Sequence, residues 1–127
     1  MIVGVGIDLV DVERARRLFE GKGARATARL FTEREARYAM QRADPAPHLA
    51  ARLAAKEAAF KALSGNVLAR GIGWREIEVV SGAGGAPTLE LHGSARRRAD
   101  ELGVSRFWLT LTHTAATAGA VVVLERD

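Results

Sequence analysis

The chain of 127 residues has no cysteine, only three prolines and few aromatic residues, 6% in all. Without cysteine there is neither a disulfide framework nor a thiolate metal centre, and a cytoplasmic location is the default expectation. No apolar run approaches the roughly 18 residues of a membrane helix, and no charged, apolar and small-residue leader opens the sequence, so nothing reads as transmembrane or secretory. The shortage of aromatics removes the stacking platforms used by binders of single-stranded nucleic acid. Lysine is scarce as well. Lys22, Lys56 and Lys61 are the three lysines among 19 basic residues, so the net charge of +4 rests on arginine and favours anionic partners: phosphates, nucleic acid or an acidic protein. Against these absences, 48% of the residues are apolar, enough for a single domain over residues 1–127 that buries its own core.

The stretch from Arg52 to Lys61 is a run of good helix formers with no glycine or proline, inside a helix expected from His48 to about Leu63. At about 100° per residue, Leu49, Leu53, Lys56, Phe60 and Leu63 fall within roughly 40° of one line, which puts Lys56 in the apolar stripe and Glu57 at its margin. An unpaired ammonium in a core costs several kcal/mol. Either Lys56 has an anionic partner or the helix faces a polar cleft.

Residues 1 to 10 alternate as a strand, with Val3, Val5, Ile7 and Leu9 on one face and Ile2, Gly4, Gly6 and Asp8 on the other. Paired glycines inside a strand signal close approach of a ligand or of another backbone. Asp8 is therefore either a carboxylate aimed into a site floored by Gly4 and Gly6 or an N-terminal helix cap, a role for which Asp11 is an equal candidate. A helical pattern runs from Val12 to about Glu20, is ended by Gly21 and Gly23, and resumes from Ala24 to Leu30. Its five arginines, among them Arg14, Arg17 and Arg25, form either a solvated face or a docking patch for an acidic partner.

Thr32 and Glu35 have capping-box spacing, which predicts a helix to about Ala43, and Asp44-Pro45-Ala46-Pro47 breaks it. Residues 64 to 73 read as a glycine-rich loop able to wrap a ligand. Strands follow at Trp74–Val80 and Thr88–His92, then a helix capped by Ser94, with Arg96, Arg97 and Arg98 mostly outside, and finally a hairpin with His113 at its bend. No repeat or low-complexity linker divides the chain.

Asp8 and Glu57 are the two acidic residues in awkward surface positions, and a pair of carboxylates suits Mg²⁺, whose shell is commonly completed by substrate phosphates. Lys61, one turn beyond Glu57, is placed for a simple ion pair with it. His113 at a bend is a phosphate donor, a general acid or base, or an exposed turn residue, and His48 and His92 show no zinc-ligand spacing with it. Carboxylates, lysines and arginines beside a glycine-rich loop compose a phosphoryl or pyrophosphate site.

Three segments together, Val5-Gly6-Ile7-Asp8-Leu9-Val10, Arg52 to Lys61 with its Lys56-Glu57-Ala58 and Lys61, and Leu109-Thr110-Leu111-Thr112-His113, resemble the holo-acyl-carrier-protein synthases, the small bacterial phosphopantetheinyl transferases. The resemblance covers nearly the whole chain in order. It implies an α/β (α+β) fold with a small antiparallel sheet packed against a long central helix. It also implies Mg²⁺-dependent transfer of the phosphopantetheine arm of coenzyme A to a serine of an acyl carrier protein, releasing adenosine 3′,5′-bisphosphate, in support of fatty acid biosynthesis. On this resemblance Asp8 and Glu57 hold the metal, and Lys61 contacts the pyrophosphate and serves the leaving phosphate. Arg52 and His113 hold coenzyme A phosphates, while Lys56, Ser64, Gly65 and Thr110 belong to the same coenzyme A site. Glu57, Lys61 and His113 form the catalytic set, with the serine proton going either to Glu57 or to a metal-bound water. Arg14, Arg17 and Arg25 dock the acidic carrier. A homotrimer with interfacial active sites is implied too, with neither nucleic acid nor membrane as partner.

The sequence departs from the family pattern at Leu53, where Phe or Trp is usual, at Trp108, where His is frequent, and at Thr110, where Ser is usual. Two rival readings are a basic nucleic-acid-binding module, which leaves Lys56 and Asp8 unexplained, and a carrier-binding protein without catalysis, which leaves the two carboxylates and Lys61 without a task.

Overall fold

The alternation of the first segment and the caps that follow it set the order of elements in the computed structural model, which describes the backbone of residues 1–127 and every side chain except those of Lys22, Val67, Leu68 and Ala83. β1 (Ile2–Asp11) leads into α1 (Val12–Leu30), α2 (Glu33–Met40) and the long α3 (Pro45–Leu63). The one-turn α4 (Val67–Arg70), a 3₁₀ turn at Trp74–Glu76, β2 (Ile77–Ser81) and β3 (Pro87–Leu91) follow, then α5 (Gly93–Leu102), β4 (Arg106–His113) and β5 (Thr117–Glu125). All strand pairing is antiparallel, in a three-stranded sheet of order β1-β5-β4 and a separate β2-β3 hairpin. The expected α/β arrangement, a small antiparallel sheet against a long central helix, is the one found.

Local chemistry fixes the helix ends. The Asp11 side chain accepts from the Glu13 amide at 3.0 Å, so Asp11 is the cap and Asp8 is left for other work. α1 breaks at Gly23 (φ 51°, ψ −130°), giving the two pieces read from the sequence. Thr32 and Glu35 form both bonds of the capping box. α3 starts at Pro45, earlier than the expected His48, because Asp44 caps it and first-turn prolines lack amides that the turn does not need. In the loop expected over residues 64 to 73, Asn66 Oδ1 accepts from the Ala69 amide at 2.9 Å and stabilises the turn of α4. Ser94 is not the cap of α5; its amide donates at 2.6 Å to Glu76 Oε2 from the preceding 3₁₀ turn.

α3 is buried nearly all round. Its alanines, from Ala50 through Ala62, pack on β1 and β5, where Ala118, Ala120, Val122 and Leu124 face them. Gly4 and Gly6 share that inner face. A Cβ on Gly6 would lie 1.8 Å from the Ala58 carbonyl oxygen, and one on Gly4 2.3 Å from that of Ala62, so the glycines accommodate a helix backbone rather than a ligand. The opposite face of β1 is open: Val5, Ile7 and Leu9 are 58%, 61% and 70% exposed, and Trp108 of β4 stands beside them at 55%. No helix is long and apolar enough to cross a membrane among the described residues.

Candidate active site

The remaining open flank of α3 carries Leu53, Glu57, Phe60, Lys61 and Ser64, spaced i, i+4, i+7, i+8 and i+11 along one face. Asp8 reaches this flank from β1, two positions beyond Gly6, because period-two alternation keeps it on the side that meets the helix. Lys61 Nζ donates at 3.0 Å both to Asp8 Oδ1 and to the Ile7 carbonyl, so its ion-pair partner is Asp8 rather than the expected Glu57. Asp8 Oδ2 is shielded from solvent and has no partner. With both carboxylates ionised Oδ2 stays unpartnered; a protonated Glu57 donates to Asp8, and that hydrogen bond above all, then burial and the Asp8 charge, push the Glu57 carboxyl up to about 7, with Lys61 and Arg14 opposing. Two carboxylates thus share one proton where both cannot be ionised at low cost. A divalent cation suits this donor set: Asp8 and Glu57 would hold it in place of the shared proton, with the orphaned Oδ2 as a ligand.

Among the described residues a closer group of metal-capable side chains is Glu78, Glu90 and His92. Its acceptors are already occupied. Glu78 takes hydrogen bonds from Arg34 at 2.7 and 3.0 Å, from Thr32 at 2.6 Å and pairs with His92 at 2.9 Å. Arg34 also bridges to Glu90 at 3.1 Å. This is an ion-pair network tying α2 to the β2-β3 hairpin.

Lys56 does not face the open flank. Its side chain is fully enclosed, with Nζ 2.7 Å from Glu35 Oε1 and donating to the Trp74 and Ile77 carbonyls, so all three protons are used inside the fold. Burial pushes its pKa down against the pull of Glu35. The anionic partner that the apolar stripe demanded is the capping-box glutamate, which also accepts from the Val79 amide at 2.9 Å. No donor is left for coenzyme A.

Arg14 and Arg17 border an apolar groove lined by Leu9, Leu18, Leu30, Leu53 and Trp74, with Glu57 at its end. Trp74 and Glu57 also line a neighbouring cavity of about 470 Å³ with Phe60, Lys61, Arg70 and Ile72. Arg25 is exposed on the half of α1 beyond Gly23, outside that groove lining. Ser64 closes α3 with its hydroxyl 2.7 Å from the Lys61 carbonyl, and Gly65 turns the chain at φ 122°. Arg98, expected outside, is buried: it donates at 2.7 Å to the Leu63 carbonyl and at 3.0 Å to that of Ser64, capping the end of α3.

Arg52 sits nine residues before Lys61, about 180° away round the helix. It lines a separate cleft of about 390 Å³ together with Tyr38, His48, Thr110 and His113. The Arg52 guanidinium lies 3.9 Å from the Tyr38 ring centroid, and its buried Nε has no hydrogen-bond partner. One chain therefore carries two half-sites on opposite sides of α3: Asp8, Glu57 and Lys61 on one, Arg52, Thr110 and His113 on the other.

The model of the 4′-phosphopantetheinyl transferase superfamily matches residues 4–119. The chain belongs to that superfamily. It is 46% identical to the holo-acyl-carrier-protein synthase of Geobacter sulfurreducens, over 99% of both chains. The crystal structure of the Neisseria meningitidis holo-acyl-carrier-protein synthase superposes with a TM-score of 0.85 at 31% identity, covering 99% of this chain and 100% of that one. That of Bacillus anthracis str. Ames, solved in complex with CoA (3′,5′-ADP), gives 0.80 at 28% identity, covering 100% of this chain and 99% of that one. This phosphopantetheinyl transferase is accordingly an enzyme of the holo-acyl-carrier-protein synthase kind, which moves the phosphopantetheine arm of coenzyme A to an apo carrier protein.

Sequence reasoning about the transferase overlooked Tyr38, His48 and Trp74. The signal for His48 was available: it lies one turn before Arg52, on the same helix face. Tyr38 and Trp74 come from other elements and carried no such signal.

Proposed function

We propose that the transferase works with Mg²⁺ held by Asp8 and Glu57, and that its active site is completed across the interface of a cytoplasmic homotrimer. The orphaned Asp8 Oδ2 beside a proton-sharing Glu57 carries the metal assignment. When bound, Mg²⁺ neutralises charge at the coenzyme A pyrophosphate. Glu57, ionised once the cation replaces its proton, is the base for the carrier serine. The serine oxygen then forms its bond to the β-phosphorus, the bond from that phosphorus to the bridging pyrophosphate oxygen breaks, and adenosine 3′,5′-bisphosphate leaves. Lys61, anchored by Asp8 and the Ile7 carbonyl, holds positive charge at the departing phosphate.

The donor's remaining phosphate, the 3′-monoester, goes to Arg52, Thr110 and His113 of a neighbouring chain, with Ser64 and Gly65 near the adenosine. Two observations support this division: the half-sites face away from each other on one chain, and the exposed apolar face of β1 and Trp108 needs a cover. The acidic helix of the carrier docks along Arg14 and Arg17 over the groove that ends at Glu57, with Arg25 extending the positive field. We assign the reaction to fatty acid biosynthesis, as the resemblance to holo-acyl-carrier-protein synthases implies. Incubating the protein with coenzyme A, Mg²⁺ and an apo carrier, then weighing the carrier, tests the assignment. The carrier should gain one phosphopantetheine arm, and removal of Mg²⁺ by chelation should stop the gain; an unchanged carrier in the presence of Mg²⁺ overturns it.

A further inference from the structure

The cleft around Arg52 holds one more basic side chain than its two phosphate ligands, Arg52 and His113. His48 lies one helical turn before Arg52, half-buried, with its ring centroid 6.4 Å from that of His113 and 6.2 Å from that of Tyr38. Arg42 approaches the same Tyr38 ring, its guanidinium 4.4 Å from the centroid. The cleft thus gathers His48 and Arg52 from α3 and His113 from β4, with Arg42 outside its lining on the Tyr38 ring, while the β2-β3 side contributes Ser81, Ala86 and Pro87, none of them charged. The acid facing His48 is Asp44, and both of its oxygens are held by Arg16 at 2.8 and 2.9 Å. The Arg52 side chain, buried and with Nε unpartnered, gives a second and independent sign of a missing anion.

We infer that His48 is a further residue of the donor site, which joins Arg52 and His113 in receiving the 3′-phosphate of coenzyme A and takes up a proton as that phosphate enters. The inference rests on reading this cleft as the seat of the 3′-phosphate. Before the ligand arrives, burial first, and then the charges of Arg42, Arg52 and His113, hold the His48 pKa below its ordinary value, with Asp44 alone opposing. His48 is therefore largely neutral near pH 7. A dianion entering the cleft reverses that balance, because an opposite charge within about 4–6 Å favours the protonated imidazole. The 3′-phosphomonoester places both charges on one phosphorus, its second ionisation lying near pH 6 as in a phosphorylated side chain, whereas each phosphorus of the pyrophosphate at Lys61 carries a single charge. His48 thereby favours coenzyme A over 3′-dephospho-coenzyme A, and increasingly so as pH falls toward about 6.5.

Calorimetric titration of coenzyme A into the Mg²⁺-loaded protein, repeated in two buffers of different ionisation heat near pH 7, reads the proton count directly. We expect the wild type to take up about half a proton more than His48→Gln, and no such difference with 3′-dephospho-coenzyme A. His48→Gln should also bind coenzyme A about fivefold more weakly at about pH 6.5, with the dephospho form changed less than twofold. His48→Phe, which keeps the packing without the titration, should show the same losses if His48→Gln melts early. Equal proton counts in wild type and His48→Gln, or an uptake that persists in His48→Gln and disappears in His113→Gln, overturn the inference. If Arg52→Ala binds coenzyme A and its dephospho form as the wild type does, the reading of the cleft itself falls. If Arg52→Ala weakens coenzyme A while His48→Gln leaves both proton count and affinity intact, only the part given to His48 falls.

Discussion

A carboxyl that titrates near neutrality next to a second carboxylate ties metal, proton and stability together at Glu57. The folded protein holds this proton up to about pH 7, whereas the unfolded chain releases it near its ordinary 4.5. Between those values the folded state binds more protons, so metal-free stability falls as pH rises from 4.5 to 7. A cation competes with the same proton, so Mg²⁺ should raise the melting temperature more at pH 8 than at pH 5.5, with a gain of about 2.7 kcal/mol at about 100 times its Kd. Thermal melts with and without Mg²⁺ across this range check the sign, and Asp8→Asn should remove both the falling limb and the Mg²⁺ effect. Glu57→Gln should lower transfer about 10²-fold or more with the helix intact, since the amide keeps the shape but neither the charge nor the proton acceptor. Lys56, fully buried against Glu35, has the opposite character: Lys56→Met strands the Glu35 carboxylate and should cost about 3–5 kcal/mol in denaturant unfolding, while KM for coenzyme A on the folded protein changes little.

At the level of elements, the contact of β1 with α3 sets where Asp8 stands. Gly6→Ala would place a methyl 1.8 Å from the Ala58 carbonyl oxygen and 2.7 Å from its carbon, both backbone atoms that cannot move aside. It should cost about 3 kcal/mol or more and impair Mg²⁺-dependent transfer with it, because Asp8 shifts with the strand. Gly21→Ala, with nothing within 4 Å, is the control and should be neutral or stabilising by about 0.5–1 kcal/mol in the same melts. Strand alternation from Gly4 onward, the capping box and the hairpin at His113 were legible because each is a local pattern with a period or a fixed spacing, whereas an irregularity between Ile2 and Gly4 packs Val3 against the core and leaves Ile2 exposed, against the expected faces. The glycine face was legible as a close approach, though not as an approach of α3. Lys56 was legible as needing an anion, but the partner was hidden: Glu35 already had a local task in its capping box, and nothing in sequence shows that the same oxygen also takes a tertiary ammonium. The burial of α3 was misread for a related reason. Alanine counts for little in an apolar stripe, so the large residues drew the line, whereas the small ones make the close packing on the sheet. Arg98 looked like its neighbours Arg96 and Arg97, and only the end of α3 distinguishes it.

For the whole molecule, the question is how two half-sites that face apart on one chain serve one substrate. In the proposed homotrimer, a heterologous contact repeated around a three-fold axis would close into a ring and bring the Asp8, Glu57 and Lys61 side of each chain to the Arg52 and His113 side of the next. The open face of Val5, Ile7 and Leu9, continued by Trp108, is the surface such a contact would bury. Ile7→Asp should then yield a monomer by sedimentation that retains its fold but transfers almost nothing. Mixing tests the shared site more sharply. A Glu57→Gln chain lacks the first half-site and an Arg52→Ala chain lacks the second, so each homotrimer is impaired at all of its sites. Dissociated and reassembled together in equal amounts, the two chains leave a site intact only where the first half comes from an Arg52→Ala chain and the second from a Glu57→Gln chain. Random assembly makes that about one site in four, so the mixture should recover about a quarter of wild-type transfer. A mixture no more active than the mean of its parents would mean that each chain builds its site alone, and the two half-sites would then need a single-chain explanation.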